Sequence, residues 1–131
     1  MVEQLRSKGV TFSHNNSVTL LMTGQEKFDD LFKAVEQARS SIHLEYFNFR
    51  NDSINRELMT RLVRKAAEGV EVRAVFDGFG NSSNNQPMRK SDICLIRSKG
   101  VEIYEFKPLA FPWIHDFFNR DHRKIVVIDG K

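Results

Sequence analysis

Asp121-His122-Arg123-Lys124-Ile125-Val126-Val127-Ile128-Asp129-Gly130-Lys131 places a histidine, a lysine two residues later and an aspartate five beyond that on one β-branched run. Ile125 to Ile128 read as a buried strand, since branched side chains fit a pleated surface, and Asp129-Gly130 closes it as a tight turn. Side chains alternate faces along a strand, so His122 and Lys124 point the same way, about 7 Å apart. An imidazole beside a fixed ammonium suits a phosphate: the lysine holds the anion while the histidine attacks phosphorus or moves a proton. A plain strand start that carries polar residues is the other reading of this spacing. Asp129 has the opposite parity and lies about 23 Å from His122 along an extended chain. It suits a turn, a strand anchor or a contact between subunits better than a local triad.

Working back from this run, the chain alternates between two periodicities. Val18 to Met22 reads as a first core strand, followed by Thr23 and Glu26 spaced as a capping box. Phe28, Leu31, Phe32, Val35 and Ala38 then recur on one helical face. Ser41 to Phe49 reads as the second strand, with Ile42, Leu44 and Tyr46 on one face and His43, Glu45, Phe47 and Phe49 on the other. A carboxylate in mid-strand needs a partner. If the strands run parallel, Glu45 lies near His122 and holds or tunes it; satisfaction by Arg50 or by backbone is the alternative.

Asp52 or Ser53 caps a second helix with Ile54, Leu58, Leu62 and Ala66 as its buried stripe, Gly69 as its stop and Arg56, Arg61, Arg64 and Lys65 on a solvated face. Val70 to Phe76 is the third strand, Asp77 to Asn85 a loop at its carboxyl end, Pro87 to Ser98 a third helix and Val101 to Phe106 a fourth strand. Lys107 to Phe118 carries two prolines and a cluster of large apolar groups, including Trp113, and reads as an aromatic loop suited to acyl chains or a membrane interface. The resulting order implies an α/β sandwich around a largely parallel or mixed sheet.

Composition narrows the function classes. The chain has 131 residues, one domain's worth, and its 20 basic against 17 acidic residues leave a net charge of +3. That charge is compatible with an anionic substrate or membrane surface, but it is scattered and makes no case for nucleic acid. One cysteine, Cys94, excludes an internal disulfide and a thiol zinc cluster, and it reads as a small hydrophobe packed in a helix. No run approaches a membrane span, and residues 1–17 read as a polar lead-in with a short extended piece near Val10 to Phe12.

The stretch from Asn119 to Lys131 resembles the HKD motif of the phospholipase D superfamily, and more narrowly the first such motif of the bacterial cardiolipin synthases. Ile42-His43-Leu44-Glu45-Tyr46-Phe47, Gly69-Val70-Glu71-Val72-Arg73 and Phe76-Asp77-Gly78 are similar to that subfamily in order and distance, so the resemblance covers about residues 18–131. Asp121 departs from it, since asparagine is commoner there. The resemblance implies a phosphatidyltransferase that joins two phosphatidylglycerol molecules through a phosphohistidine, with no metal or organic cofactor. His122 would be the nucleophile or its acid/base partner, Lys124 the phosphate ligand and Asp129 a supporting residue, with Glu45 beside them. It also implies a partial domain, the first HKD half, whose second motif comes from another half or a twin subunit. The parent would sit at the bacterial membrane with its catalytic part outside the bilayer, and the piece itself would be soluble and inactive alone. Two other classes stay open: a homodimeric nuclease of the same superfamily, and a non-catalytic lipid-binding module.

Overall fold

Alternation of buried and exposed side chains builds the sheet. The computed structural model describes residues 1–12, 14–108 and 119–131. Among them, strands β1 (Ser41–Tyr46), β2 (Glu71–Asp77), β3 (Glu102–Phe106) and β4 (Lys124–Ile128) form one sheet in the order β3-β2-β1-β4. The first three run parallel, and β4 lies antiparallel to β1 with Tyr46 opposite Lys124 and Ile42 opposite Ile128. Five helices accompany the described strands: α1 (Val2–Arg6), α2 (Gly24–Gln37), α3 (Ser53–Ala67), α4 (Gly78–Ser83) and α5 (Lys90–Ser98).

Both parallel connections step in the same direction across the sheet, and right-handed crossovers then deliver their helices to a single face. Ile42, Leu44, Val72, Ala74, Phe76 and Ile103 therefore meet Leu31 and Val35 of α2, Leu58 and Leu62 of α3, and Ile93 and Ile96 of α5 in one core. Phe76, Ile42, Leu62 and Ile103 are fully buried, each contributing about 1.5–3 kcal/mol by leaving water. The opposite face carries a charged ladder, with His43 Nε2 2.8 Å from Glu71 and Arg73 within 3.3 Å of Glu71 and 3.2 Å of Glu102.

Local signals explain the helix ends. The amide of Glu26 donates to Thr23 Oγ1 at 3.1 Å and Thr23 N donates back to Glu26 Oε2, which completes the box. Asp52, rather than Ser53, caps α3 by accepting from Asn55 N at 2.9 Å. Gly69 ends it at φ +91°, a conformation that costs glycine little.

Several expectations need correction. Val18 to Met22 is not a strand: both edges of β1 are taken by β2 and β4, and the run leads into α2 with Val18 89% exposed. Val10 to Phe12 is likewise outside any strand, and the lead-in holds the short exposed helix α1 instead. Residues 78–83, expected as loop, form α4, because the carboxylate of Asp77 accepts from the amides of Phe79 and Gly80 and supplies a cap. The next helix starts at Lys90 because Asn81 binds both the amide and the carbonyl of Met88 and Pro87 bridges to Arg50. Cys94 is exposed. Within α3, Ile54 faces solvent while Lys65 is buried, its Nζ 2.7 Å from Glu68, and Arg61 and Arg64 converge on Glu36 of α2. The stem of a lysine can join an apolar stripe when its tip finds an acid. The aromatic run 109–118 lies outside the described residues.

The end of β4 is tied to the start of β1. Asp129 and Gly130 adopt φ +50° and +79°, and Ile128 and Lys131 exchange two backbone hydrogen bonds of 3.0 Å across this turn. The Asp129 carboxylate accepts from the amides of Ser41, Ser40 and Arg39 and from Ser40 Oγ, which holds its carboxyl far below the usual carboxylate range. A carboxylate depressed by folding stabilises fully above its unfolded value, and that stabilisation fades as pH falls below about 4. The Asp129→Asn variant should therefore have a lower urea midpoint than the parent at pH 7. The gap should narrow at pH 3, as unfolding curves at the two pH values would show.

Candidate active site

The antiparallel pairing of Tyr46 with Lys124 sends residues 47 and 122–123 away from the same end of the sheet. There the imidazole of His122 stacks on the ring of Phe47, with centroids 4.5 Å apart and planes 14° from parallel. Lys124 Nζ lies 5.3 Å from the same Phe47 centroid and donates to the carbonyl of His122 at 2.6 Å. The two residues thus meet around one aromatic ring. They do so differently from the expectation of one strand face, because β4 begins at Lys124 and His122 precedes it. His122 lines an open cleft of about 690 Å³ together with Glu45, Lys107, Arg120, Asp121 and Arg123. Lys124 lines the neighbouring hollow beside Lys27, Tyr46 and Phe47.

Glu45 reaches this cleft from β1, although β4 runs antiparallel to it. Its carboxylate is 3.2 Å from Arg123 Nη1 and hydrogen-bonded to Asp121, the two residues that flank His122. Arg50, the alternative partner, binds Asn85 instead. The bond to Asp121 raises the Glu45 carboxyl above its ordinary value, with burial adding to the rise. Burial pushes Asp121 upward too, but the amide of Arg123, the bond from Glu45 and the Arg123 charge together hold it below the usual range.

Asp129 stands at the far end of β4 from Lys124, where its described bonds are to Arg39, Ser40 and Ser41. The structure therefore gathers His122, Lys124 and Glu45 and keeps Asp129 apart from them.

Two residues of this site escaped the sequence reading. Phe47 was only a member of a strand face, and nothing in the local pattern marks it as the floor under an imidazole. Asp77 is completely buried at the carboxyl end of β2, with Oδ2 accepting from the amide of Asp121 at 3.0 Å. An acid followed by Gly78 at the end of an apolar strand was its visible trace.

A mostly parallel open sheet, helices on one face, and a histidine and lysine where the antiparallel strand begins define a phospholipase D-like domain. The family described as "Cardiolipin synthase, PLD-like domain" matches residues 31–131. A probable cardiolipin synthase of Bacillus subtilis is 37% identical over 128 residues, which cover 97% of this chain and 25% of that protein. The cardiolipin synthase of Halalkalibacterium halodurans is 39% identical over 131 residues, 99% of this chain and 25% of its own length. That of Staphylococcus aureus is 36% identical over 133 residues, covering 100% and 26%. The chain belongs to the cardiolipin synthase family of phospholipase D-like domains, and it spans about a quarter of the length of the curated relatives it matches. None of the described helices is long and apolar enough to cross a membrane.

Proposed function

We propose that this chain supplies one half of a two-motif phosphatidyltransferase site that makes cardiolipin from phosphatidylglycerol. The observation that carries the reading is the convergence of His122 and Lys124 on Phe47, beside a cleft with three cationic side chains. A nitrogen of His122 attacks the phosphorus of one phosphatidylglycerol, forming an N–P bond as the P–O bond to the terminal glycerol breaks. The departing glycerol takes a proton from an acid of the second motif. The headgroup hydroxyl of a second phosphatidylglycerol then gives up its proton to that group and attacks the same phosphorus. The N–P bond breaks, and cardiolipin leaves with His122 restored. The Lys124 ammonium neutralises charge on the phosphoryl oxygens. Covalent phosphohistidine chemistry supplies the activation. Glu45, through Asp121 and Arg123, sets the flanks of His122, and Asp129 supports the strand that carries the motif.

In this reading residues 18–131 form the first-motif half behind a lead-in at 1–17. The second motif comes from another half or a twin subunit, and the parent works at the bacterial membrane with its catalytic part outside the bilayer. The test is product analysis. The full-length transferase carrying this segment, mixed with phosphatidylglycerol vesicles, should yield cardiolipin and glycerol by mass spectrometry. The monomeric 131-residue chain should yield neither. Phosphatidic acid alone would make water the acceptor and overturn the transferase reading, and turnover by the monomer would overturn the need for a second motif.

A further inference from the structure

We propose that Asp77 is a positioning residue for His122, a role that rests on reading His122 as the nucleophile. Asp77 is 0% exposed and its carboxylate is engaged on two sides. Oδ1 accepts from the amides of Phe79 at 2.9 Å and Gly80 at 3.1 Å, which fixes the first turn of α4. Oδ2 accepts from the amide of Asp121, the residue before His122, at 3.0 Å. The side chain of Arg120, only 5% exposed, lies 3.6 Å from Oδ1 and donates to the carbonyl of Lys107 at 2.8 Å. One buried acid therefore holds the two residues that lead into His122, across 44 positions of sequence.

The same turn also fixes the floor under the imidazole. Gly80 packs so closely that an added Cβ would lie 2.0 Å from the Phe47 carbonyl oxygen and 3.0 Å from the Phe47 ring. Asp77 thus sets the height of α4 against Phe47, and Phe47 carries the His122 ring. Backbone before the imidazole and aromatic surface beneath it are both referred to a single side chain. A charge buried this deeply is costly, and its partners are spent on the approach to the nucleophile.

Asp77→Asn keeps an acceptor for the α4 amides but presents an amide N–H₂ or a displaced oxygen to Asp121 N, and it removes the charge facing Arg120. Two readouts follow. In the full-length transferase, kcat should fall about 100-fold with KM within twofold, the loss expected when a reacting group shifts by about 1 Å. In the NMR spectrum, the His122 ring protons should lose the upfield displacement that stacking on Phe47 gives them, while those of His43 stay in place. Unchanged kcat, or reduced kcat with the His122 displacement intact, overturns the proposal. If the transferase reading itself fails and no turnover exists, the NMR arm still decides whether Asp77 positions this ring. Should the variant not fold, hydrogen exchange on the unaltered protein decides. The Asp121 amide, outside every strand and helix, should exchange at least 100-fold more slowly than an exposed amide, and unprotected exchange would reject the link.

Discussion

His122→Ala should abolish phosphatidyl transfer in the full-length transferase, a loss of roughly four orders of magnitude or more in kcat. Covalent catalysis divides one hard displacement into two easier ones, and deleting the nucleophile removes both. Losses of this size are what other enzymes show when a nucleophile or its base is removed. The variant is informative because His122 is exposed and belongs to no core cluster; its ring contact is the stack on Phe47. Such a pair is worth about 0.5–1.5 kcal/mol at most. The thermal midpoint should therefore move by only a few degrees while activity disappears. Cardiolipin quantified by mass spectrometry beside a circular-dichroism melt separates the two effects. Transfer surviving above about one part in a thousand would remove His122 from the role of nucleophile.

The parts of the fold that were legible are those where local chemistry and tertiary packing agree. Thr23 with Glu26, Asp52 and Gly69 mark helix ends by hydrogen bonds that any such helix needs, and the structure has all three. Strands β1 to β3 show in the alternation of Ile42, Leu44, Val72, Ala74 and Ile103 with polar neighbours. Val18 to Met22 lacks that alternation: an apolar run alone does not make a strand, and these residues join none of the described ones. The helix α4 was hidden by its own composition: glycine, asparagine and serine are poor helix formers, and only the buried Asp77 cap and the bonds made by Asn81 and Asn84 override that. The direction of β4 was also invisible, because a run of branched residues pairs as well either way. At the site, His122 and Lys124 could be seen because their chemistry is carried by residue type and spacing. Phe47 and Asp77 could not, because each acts through a neighbour distant in sequence, and no local pattern records which backbone amide a buried acid will meet.

Gly80→Ala should be the most damaging single-methyl addition in the described chain. Its Cβ would sit 2.0 Å from the carbonyl oxygen of Phe47 and 2.9 Å from the carbonyl carbon, against a floor of 3.0 Å that real Cβ atoms respect. Gly80 does not have the left-handed φ of Gly69, Gly100 or Gly130, so the penalty is steric and owes nothing to backbone strain. The obstacle is backbone just past the end of β1, which cannot swing aside like the tip of a lysine. Overpacking of this kind costs about 1–3 kcal/mol, and a backbone collision belongs at the upper end. For a domain of this size that lowers the thermal midpoint by roughly 10 °C. Gly24→Ala is the matching control: it opens α2, nothing lies within 4 Å of its added Cβ, and it should gain about 0.4–1 kcal/mol by restricting the unfolded chain. Relief of the Gly80 collision must push Phe47 away from α4, and the His122 ring stacked on it must follow. Well below its lowered midpoint, the folded Gly80→Ala transferase should therefore still turn over at least 10-fold more slowly, as a 1 Å misplacement allows. Full specific activity in protein that melts 10 °C early would show that the packing of α4 on Phe47 serves stability alone.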